Sequence, residues 1–191
     1  MVPDSLLAEQ VEELVREVSP PFLANHCMRC AQWATALAQC DGVGFDAELL
    51  YVSAALHDLG LVPRFDADRC FEDDSAKEAA RITSEAGWSA ERCDVVAEVI
   101  RLHMAAEVSL EDGPEAYLLA EATALDVTGY RYGDLDRRMI EAVLDEFPRL
   151  DFKVGFSRLF TDQAARKPGC RVAALVDNGI LDRIAGAPYA T

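Results

Sequence analysis

Apolar residues recur along this chain at three- and four-residue intervals, and alternating β-branched runs bounded by hairpin turns are missing. The pattern predicts an all-α fold. Leu6, Leu7, Val11, Leu14 and Val15 form the stripe of an opening helix that Pro20 and Pro21 terminate, since proline cannot continue a helix. A second helix is predicted from about Phe22 to Cys40. Asp46 can cap a third, whose buried stripe reads Leu49, Val52, Ser53, Leu56 and His57, with Gly60 as its stop. The stretch 61–73, LVPRFDADRCFED, has no clear period and is predicted as a loop of the kind that often carries function. Asp74 or Ser75 opens a short helix ending at Gly87, Ser89 opens another that reaches about Met104, and Pro114 suits the first turn of one ending near Gly129. Two or three further helices follow from Asp136 to about Ile184, with stripes such as Met139, Ile140, Val143, Leu144 and Phe152, Phe156, Leu159, Phe160. With 191 residues, no internal repeat and no linker, the chain is expected to be a single domain covering 1–191.

The polar residues on these stripes change the picture. The three histidines, His26, His57 and His103, each fall on the apolar stripe of a different predicted helix. Asp126 does the same on a face that runs Leu118, Leu119, Ala122, Leu125. Burying a carboxylate without a partner costs several kcal/mol, on the order of the penalty for any uncompensated interior charge, so something must neutralise it. A divalent cation suits all these groups at once, because neutral imidazole nitrogens and carboxylate oxygens are its natural ligands. His57 and Asp58 point about 100° apart on an ideal helix, but both lie near a helix C-terminus, where two side chains can straddle one ion.

Charge and cysteine usage narrow the partners. Lys plus Arg number 18 against 34 Asp plus Glu, a formal net charge of −16, so long-range repulsion opposes docking on nucleic acid or on anionic lipid. A small-molecule substrate is expected, with Arg64, Arg69, Lys77 and Arg81 as a local cluster able to receive a small anion. The first residues, MVPDSLLAEQVEELV, lack the basic start and unbroken apolar run of a signal peptide, and no stretch approaches about 18 consecutive apolar residues. The six cysteines are scattered rather than arranged as a dense framework, which suggests reduced thiols and a cytoplasmic protein. Cys27 and Cys30 read as packing residues inside a helix, Trp33 as core, and the Asp73-Asp74 pair as a helix cap. A homodimer is the commonest symmetric assembly.

The order His26, then His57-Asp58 in LLYVSAALHDLG, then a distant Asp126, resembles the H…HD…D pattern of the HD-domain metalloenzyme superfamily. The resemblance implies an HD-type helical bundle with its metal-site core at about 22–130 and further helices at about 136–184. It implies His26, His57, Asp58 and Asp126 as the ligands of one divalent metal, zinc first, with iron, manganese or nickel as alternatives. AALHDLGL, followed by Arg64-Phe65, Phe71-Glu72 and SAKEAARI, together with EVIRLHM around His103, is similar to the cyanamide hydratase-like branch. Cyclic-dinucleotide phosphodiesterases of the superfamily place a lysine three residues after the HD aspartate, where this chain has Leu61, and a diiron site of the oxygenase branch would be one histidine short.

The implied chemistry is hydration of a small C–N triple bond by metal-activated water. Glu72 is the expected proton shuttle or water-orienting group, and Lys77 or His103 the expected proton donor. Two alternatives differ in class. A nucleotide phosphohydrolase predicts that a basic cluster such as Arg64, Arg69 and Lys77 faces the metal, and a non-catalytic metal-binding regulatory module keeps the helical scaffold without turnover.

Overall fold

The computed structural model describes residues 3–189. Among them are ten α-helices and three 3-10 turns, and no strand. The first helix, α1 (Leu6–Val18), is capped by the Ser5 hydroxyl, which accepts from the Ala8 amide. Leu6 faces outward, 69% exposed, so the buried stripe of α1 runs Leu7, Val11, Val15 without it. Pro21 is the first residue of α2 (Pro21–Asp41) rather than the end of α1, because a proline at a helix start gives up only an amide that would lack a partner anyway.

Helix α2 is buried along most of its length. Its alanines, Ala24, Ala31, Ala34, Ala36 and Ala38, let neighbours approach closely on several sides, as an interior helix requires. Against it lie α3 (Ala47–Leu56), capped by Asp46 as expected, and α6 (Pro114–Thr128), which ends at Gly129 in the left-handed conformation. The next pair is α4 (Phe71–Glu85) and α5 (Ala90–Leu102), the latter capped by Ser89. Four helices, not two or three, complete the chain: α7 (Arg137–Glu146), α8 (Phe152–Arg166), α9 (Arg171–Asp177) and α10 (Ile180–Gly186).

The turn after α3 departs from the sequence reading in a way that matters for the site. Helix α4 begins at Phe71, not at Asp74 or Ser75, so Glu72 lies in its first turn instead of in a loop. Asp74 is not a cap. Its carboxylate accepts from the Ala67 amide and pairs with Arg69, bracing the 66–70 segment, while the Ser75 hydroxyl accepts from the Gly60 amide. Gly60 is required by proximity: a Cβ there would stand 2.1 Å from the Phe71 carbonyl oxygen. The residues just past His57-Asp58 are thus pressed against the start of α4.

Two apolar clusters meet at the site. The larger is built on α1–α7 around α2 and α3, and the smaller joins Leu61, Val62 and Phe71 to Val127 and to Phe152, Phe156, Phe160, Val172 and Ile184 of the last helices. The ring of His26, carried by α2, packs against Phe152 and Phe156 of α8, with centroids 4.9 and 5.2 Å away. No helix of the described residues is long and apolar enough to cross a membrane.

Candidate metal centre

The three histidines arrive from α2, from the end of α3 and from the end of α5, and in each the Nδ1 edge is already occupied. His57 Nδ1 contacts the Ala54 carbonyl at 2.8 Å, and His103 Nδ1 contacts the Ile100 carbonyl. His26 Nδ1 contacts Asp126 Oδ2 at 2.7 Å. A carbonyl or an ionised carboxylate can only accept, so Nδ1 carries the proton and Nε2 is left with a bare lone pair. Such pinning by a carbonyl or carboxylate is the usual support of a metal-binding imidazole.

His57 and Asp58 converge because the helix stops between them. His57 keeps helical angles, whereas Asp58 has φ −108° and ψ 12° as the chain enters the 3-10 turn Leu59–Leu61. The outcome is a triangle of electron-rich atoms. His26 Nε2, His57 Nε2 and Asp58 Oδ2 are separated by 3.3, 3.3 and 3.4 Å. All three side chains are at most 2% exposed, and Asp58 Oδ2 has no hydrogen-bond partner.

With no proton between them, three such atoms repel one another unless a cation compensates. Without a metal a proton meets the same demand: burial would lower the proton affinity of His57, but the adjacent Asp58 carboxylate and Cys27 hold it well above the ordinary imidazole value, so that proton and metal compete for the same lone pair. Ligands bound tetrahedrally at about 2.0–2.1 Å stand about 3.4 Å apart, so the observed edges fit three ligands of a single ion with a fourth position open. The donor chemistry, two imidazole nitrogens and one carboxylate oxygen, is that of divalent transition metals.

Asp126 is brought to the site but not to this triangle. It lies on the opposite edge of the His26 ring, and both its oxygens are engaged: Oδ1 by Arg29 Nε at 2.7 Å and Trp33 Nε1 at 2.8 Å, Oδ2 by Arg29 Nη2 at 2.8 Å and His26. Arg149 adds contacts to Oδ1 at 3.3 Å and to the backbone carbonyl at 3.0 Å. Burial alone would push this carboxyl up, but the two guanidinium groups hold it well below the usual range. Its position suits an anchor for His26. The sequence reading assigned Trp33 to the core, where it lies, but missed its bond to Asp126 and missed Arg29 altogether. Arg29 is one turn beyond His26 and Trp33 two turns beyond, so a cation on the buried face of α2 was the available signal. Arg149 lies in an irregular segment and gave none.

Of the three residues expected to handle protons, one is in place. The His103 ring meets His57 edge to face with centroids 4.9 Å apart, and its Nε2 is 3.9 Å from Asp58 Oδ1. Burial, followed by the neighbouring His57, lowers its pKa to about 3, so it is neutral at pH 7 and has no Nε2 proton to give. Lys77 is exposed and outside the cavity lining, about 1.7 turns along α4 from Phe71, which does line it; the expected donor role finds no support in this placement. Glu72 is half-buried, with Oε2 unpartnered and its pKa raised by burial, yet it too is absent from the lining.

A cavity of about 500 Å³ opens on the triangle. His26, His57, Asp58 and His103 line it, whereas Asp126, Cys27 and Cys30 do not. The open side of the three ligands therefore faces a chamber walled by Phe71, Phe156 and Phe160. Cys30 Sγ lies 3.7 Å from His26 Nδ1, and Cys27 and Cys30 each fall within ligand range of the histidines. Burial pushes both thiols up, which keeps them neutral and leaves the carboxylate as the better third donor.

Two cysteines overturn the expectation of reduced thiols. Cys70 and Cys170 form a disulfide across 100 residues of sequence, tying the residue before Phe71 to the residue before Arg171, both of which line the cavity. Such bonds are uncommon in the reducing cytosol, so the cytoplasmic placement loses the support it drew from the cysteines. Cys27, Cys30, Cys40 and Cys93 are free.

Two known proteins and one family are similar to the chain. The chain is 26% identical over 182 residues to Cyanamide hydratase DDI2 and to Cyanamide hydratase DDI3 of Saccharomyces cerevisiae, covering 92% of this chain and 80% of each relative. The family model of the HD domain matches residues 23–128, a span that begins three residues before His26 and ends two after Asp126. On that match, which holds all three histidines and both carboxylates of the centre, the chain belongs to the HD domain family.

Proposed function

We propose that the protein is a metal-dependent hydratase of a nitrile-like small molecule, with zinc as the metal and His26, His57 and Asp58 as its ligands. The observation that carries the reading is the bare triangle of Nε2, Nε2 and Oδ2 with edges of 3.3–3.4 Å at the inner end of a cavity. The similarity to cyanamide hydratases favours C–N triple-bond hydration over other HD-domain chemistry. When bound, a divalent ion would supply the Lewis acidity that makes water nucleophilic near pH 7.

The side chains supply the rest. Asp126 and the Ala54 carbonyl fix the two ligand rings, so no reorganisation is needed when the site fills. His103 Nε2, bare and neutral, accepts a hydrogen bond from the attacking water and aims its lone pair at the nitrile carbon. Phe71, Phe156 and Phe160 exclude bulk water. One water is consumed: its oxygen bonds to carbon as one C–N π bond breaks, its proton goes to nitrogen, and tautomerisation gives the amide. A small molecule is the natural partner, since the net charge of −16 disfavours nucleic acid and anionic membrane.

A nucleotide phosphohydrolase draws less support: the cluster Arg64, Arg69 and Lys77 lies outside the cavity lining, and although Arg171 and Arg183 do line it, the similarity is to hydratases. Metal analysis of the purified protein, followed by assays with cyanamide, small nitriles and nucleoside monophosphates, separates the readings. Amide formation that depends on metal and vanishes in His57→Ala is expected. Protein that stays metal-free after reconstitution, or that turns over only the phosphate esters, removes the proposal.

A further inference from the structure

The chamber is too large for the smallest substrates of this chemistry. Cyanamide has three heavy atoms and fills roughly 60 Å³, about two water volumes at ~30 Å³ each, whereas the cavity measures about 500 Å³. Beyond the metal triangle its walls include a large apolar share, Met104, Val127, Phe156, Phe160, Leu175 and Ile180, beside a few charged side chains. A chamber of that size and lining is built for a ligand with a hydrocarbon body.

The charges on the lining are unevenly satisfied. Glu121 is paired with Arg131 at 3.0 Å. Arg171 at the start of α9 and Arg183 in α10 are exposed, and among the described residues no side-chain ion pair or hydrogen bond engages either guanidinium. In a chain with 34 acidic and 18 basic residues, Arg16, Arg81, Arg92, Arg131 and Arg166 have found carboxylates; Arg64, Arg138 and Arg158 have not, but among the described residues only Arg171 and Arg183 are unpaired arginines that line the cavity. Apart from Asp58 at the metal triangle, the acidic group of the lining without an arginine or lysine partner is Glu107, on the loop after α5, so away from the triangle two unpaired arginines face one unpaired glutamate. The nearby disulfide holds the start of α9 to the start of α4 and fixes Arg171 relative to the metal triangle.

We infer that Arg171 and Arg183 bind an anionic group, carboxylate or phosphate, at the non-reacting end of the substrate. The inference rests on the hydratase reading for the reacting end, and it describes a molecule with a triple-bonded nitrogen, a short apolar body and an anion. Guanidinium suits that role because its planar fork pairs with two oxygens at once.

The test uses the metal-loaded protein and two readouts. Initial rates are measured on a nitrile that ends in a carboxylate and on its neutral amide, in wild type, Arg171→Gln, Arg183→Gln and the double variant. Equilibrium binding of phenylpropionate, phenyl phosphate and neutral phenylpropanol is measured on the same proteins. The expected result is a KM for the carboxylate nitrile raised about 10- to 100-fold in the double variant, as loss of charge-assisted bonds implies, with the neutral nitrile unaffected. Glu107→Gln should tighten the two anions and leave the alcohol unchanged. Anion binding that is equal in wild type and double variant overturns the inference while leaving nitrile turnover standing. Absence of turnover with every nitrile, alongside anion binding that the double variant loses, overturns the hydratase reading and leaves the anion site standing. Whichever of the two anions binds more tightly identifies the group. Both arginines are exposed, so the variants should melt with wild type, and thermal denaturation checks this.

Discussion

Replacing Asp126 by asparagine separates an anchoring carboxylate from a metal ligand. The substitution keeps the shape and removes one charge from a side chain that is 0% exposed and that pairs with Arg29, equally buried. It also leaves Arg149, 5% exposed, without its carboxylate. Breaking a buried pair by removing one partner costs about 3–5 kcal/mol, because the remaining charge stays desolvated. Denaturant unfolding at pH 7 should therefore show a loss in that range. The loss must also depend on pH. The folded carboxyl titrates well below the usual range, so its stabilisation is complete above the unfolded value of about 3.9 and fades as pH falls toward the lower, folded value. The gap between wild type and Asp126→Asn should narrow steadily from pH 5 to pH 2. Metal affinity is the second readout. An anchor for His26 is worth about 10- to 100-fold in affinity, so the variant should still bind one ion, more weakly, while His57→Ala should bind none. Complete loss of metal from a folded Asp126→Asn, equal to that of His57→Ala, would refute the placement of Asp126 behind the His26 ring.

Three further outcomes can be checked. His103, held at a pKa of about 3 in the folded state, takes up its proton only on unfolding between there and about 6.5, so acidification through that window should cost stability at about 1.4 kcal/mol per pH unit; His103→Asn should flatten the slope. Gly60→Ala would set a Cβ 2.1 Å from the Phe71 carbonyl oxygen, forcing apart the metal turn and α4 at a cost of about 1–3 kcal/mol typical of overpacking, and an unchanged melting curve would contradict the close approach. Replacing both Cys70 and Cys170 by alanine opens a loop of 100 residues and should cost about 2–5 kcal/mol by denaturant titration.

How much of this was legible beforehand depends on whether a feature is local. The helices with sharp caps and stops, α3 after Asp46, α5 after Ser89 and α6 from Pro114 to Gly129, follow from backbone chemistry within a few residues. The histidines and Asp126 stood out because a polar residue on an apolar stripe is a local anomaly with a tertiary cause. The family followed from their order and from the residues around His57-Asp58.

The sequence by itself determined an all-helical chain, the residues that had to be compensated in its interior and the order in which they occur. The tertiary structure alone decided which of them share a point in space. It turned Asp126 toward Arg29 and the far edge of His26, put Lys77 in solvent, started α4 early enough to press Phe71 against Gly60, and joined Cys70 to Cys170. Periodicity says which face of a helix is buried, but not how far along or how rotated its neighbour lies. A shift of one residue rotates a side chain by about 100° and moves it 1.5 Å, and ligand chemistry is settled on that scale.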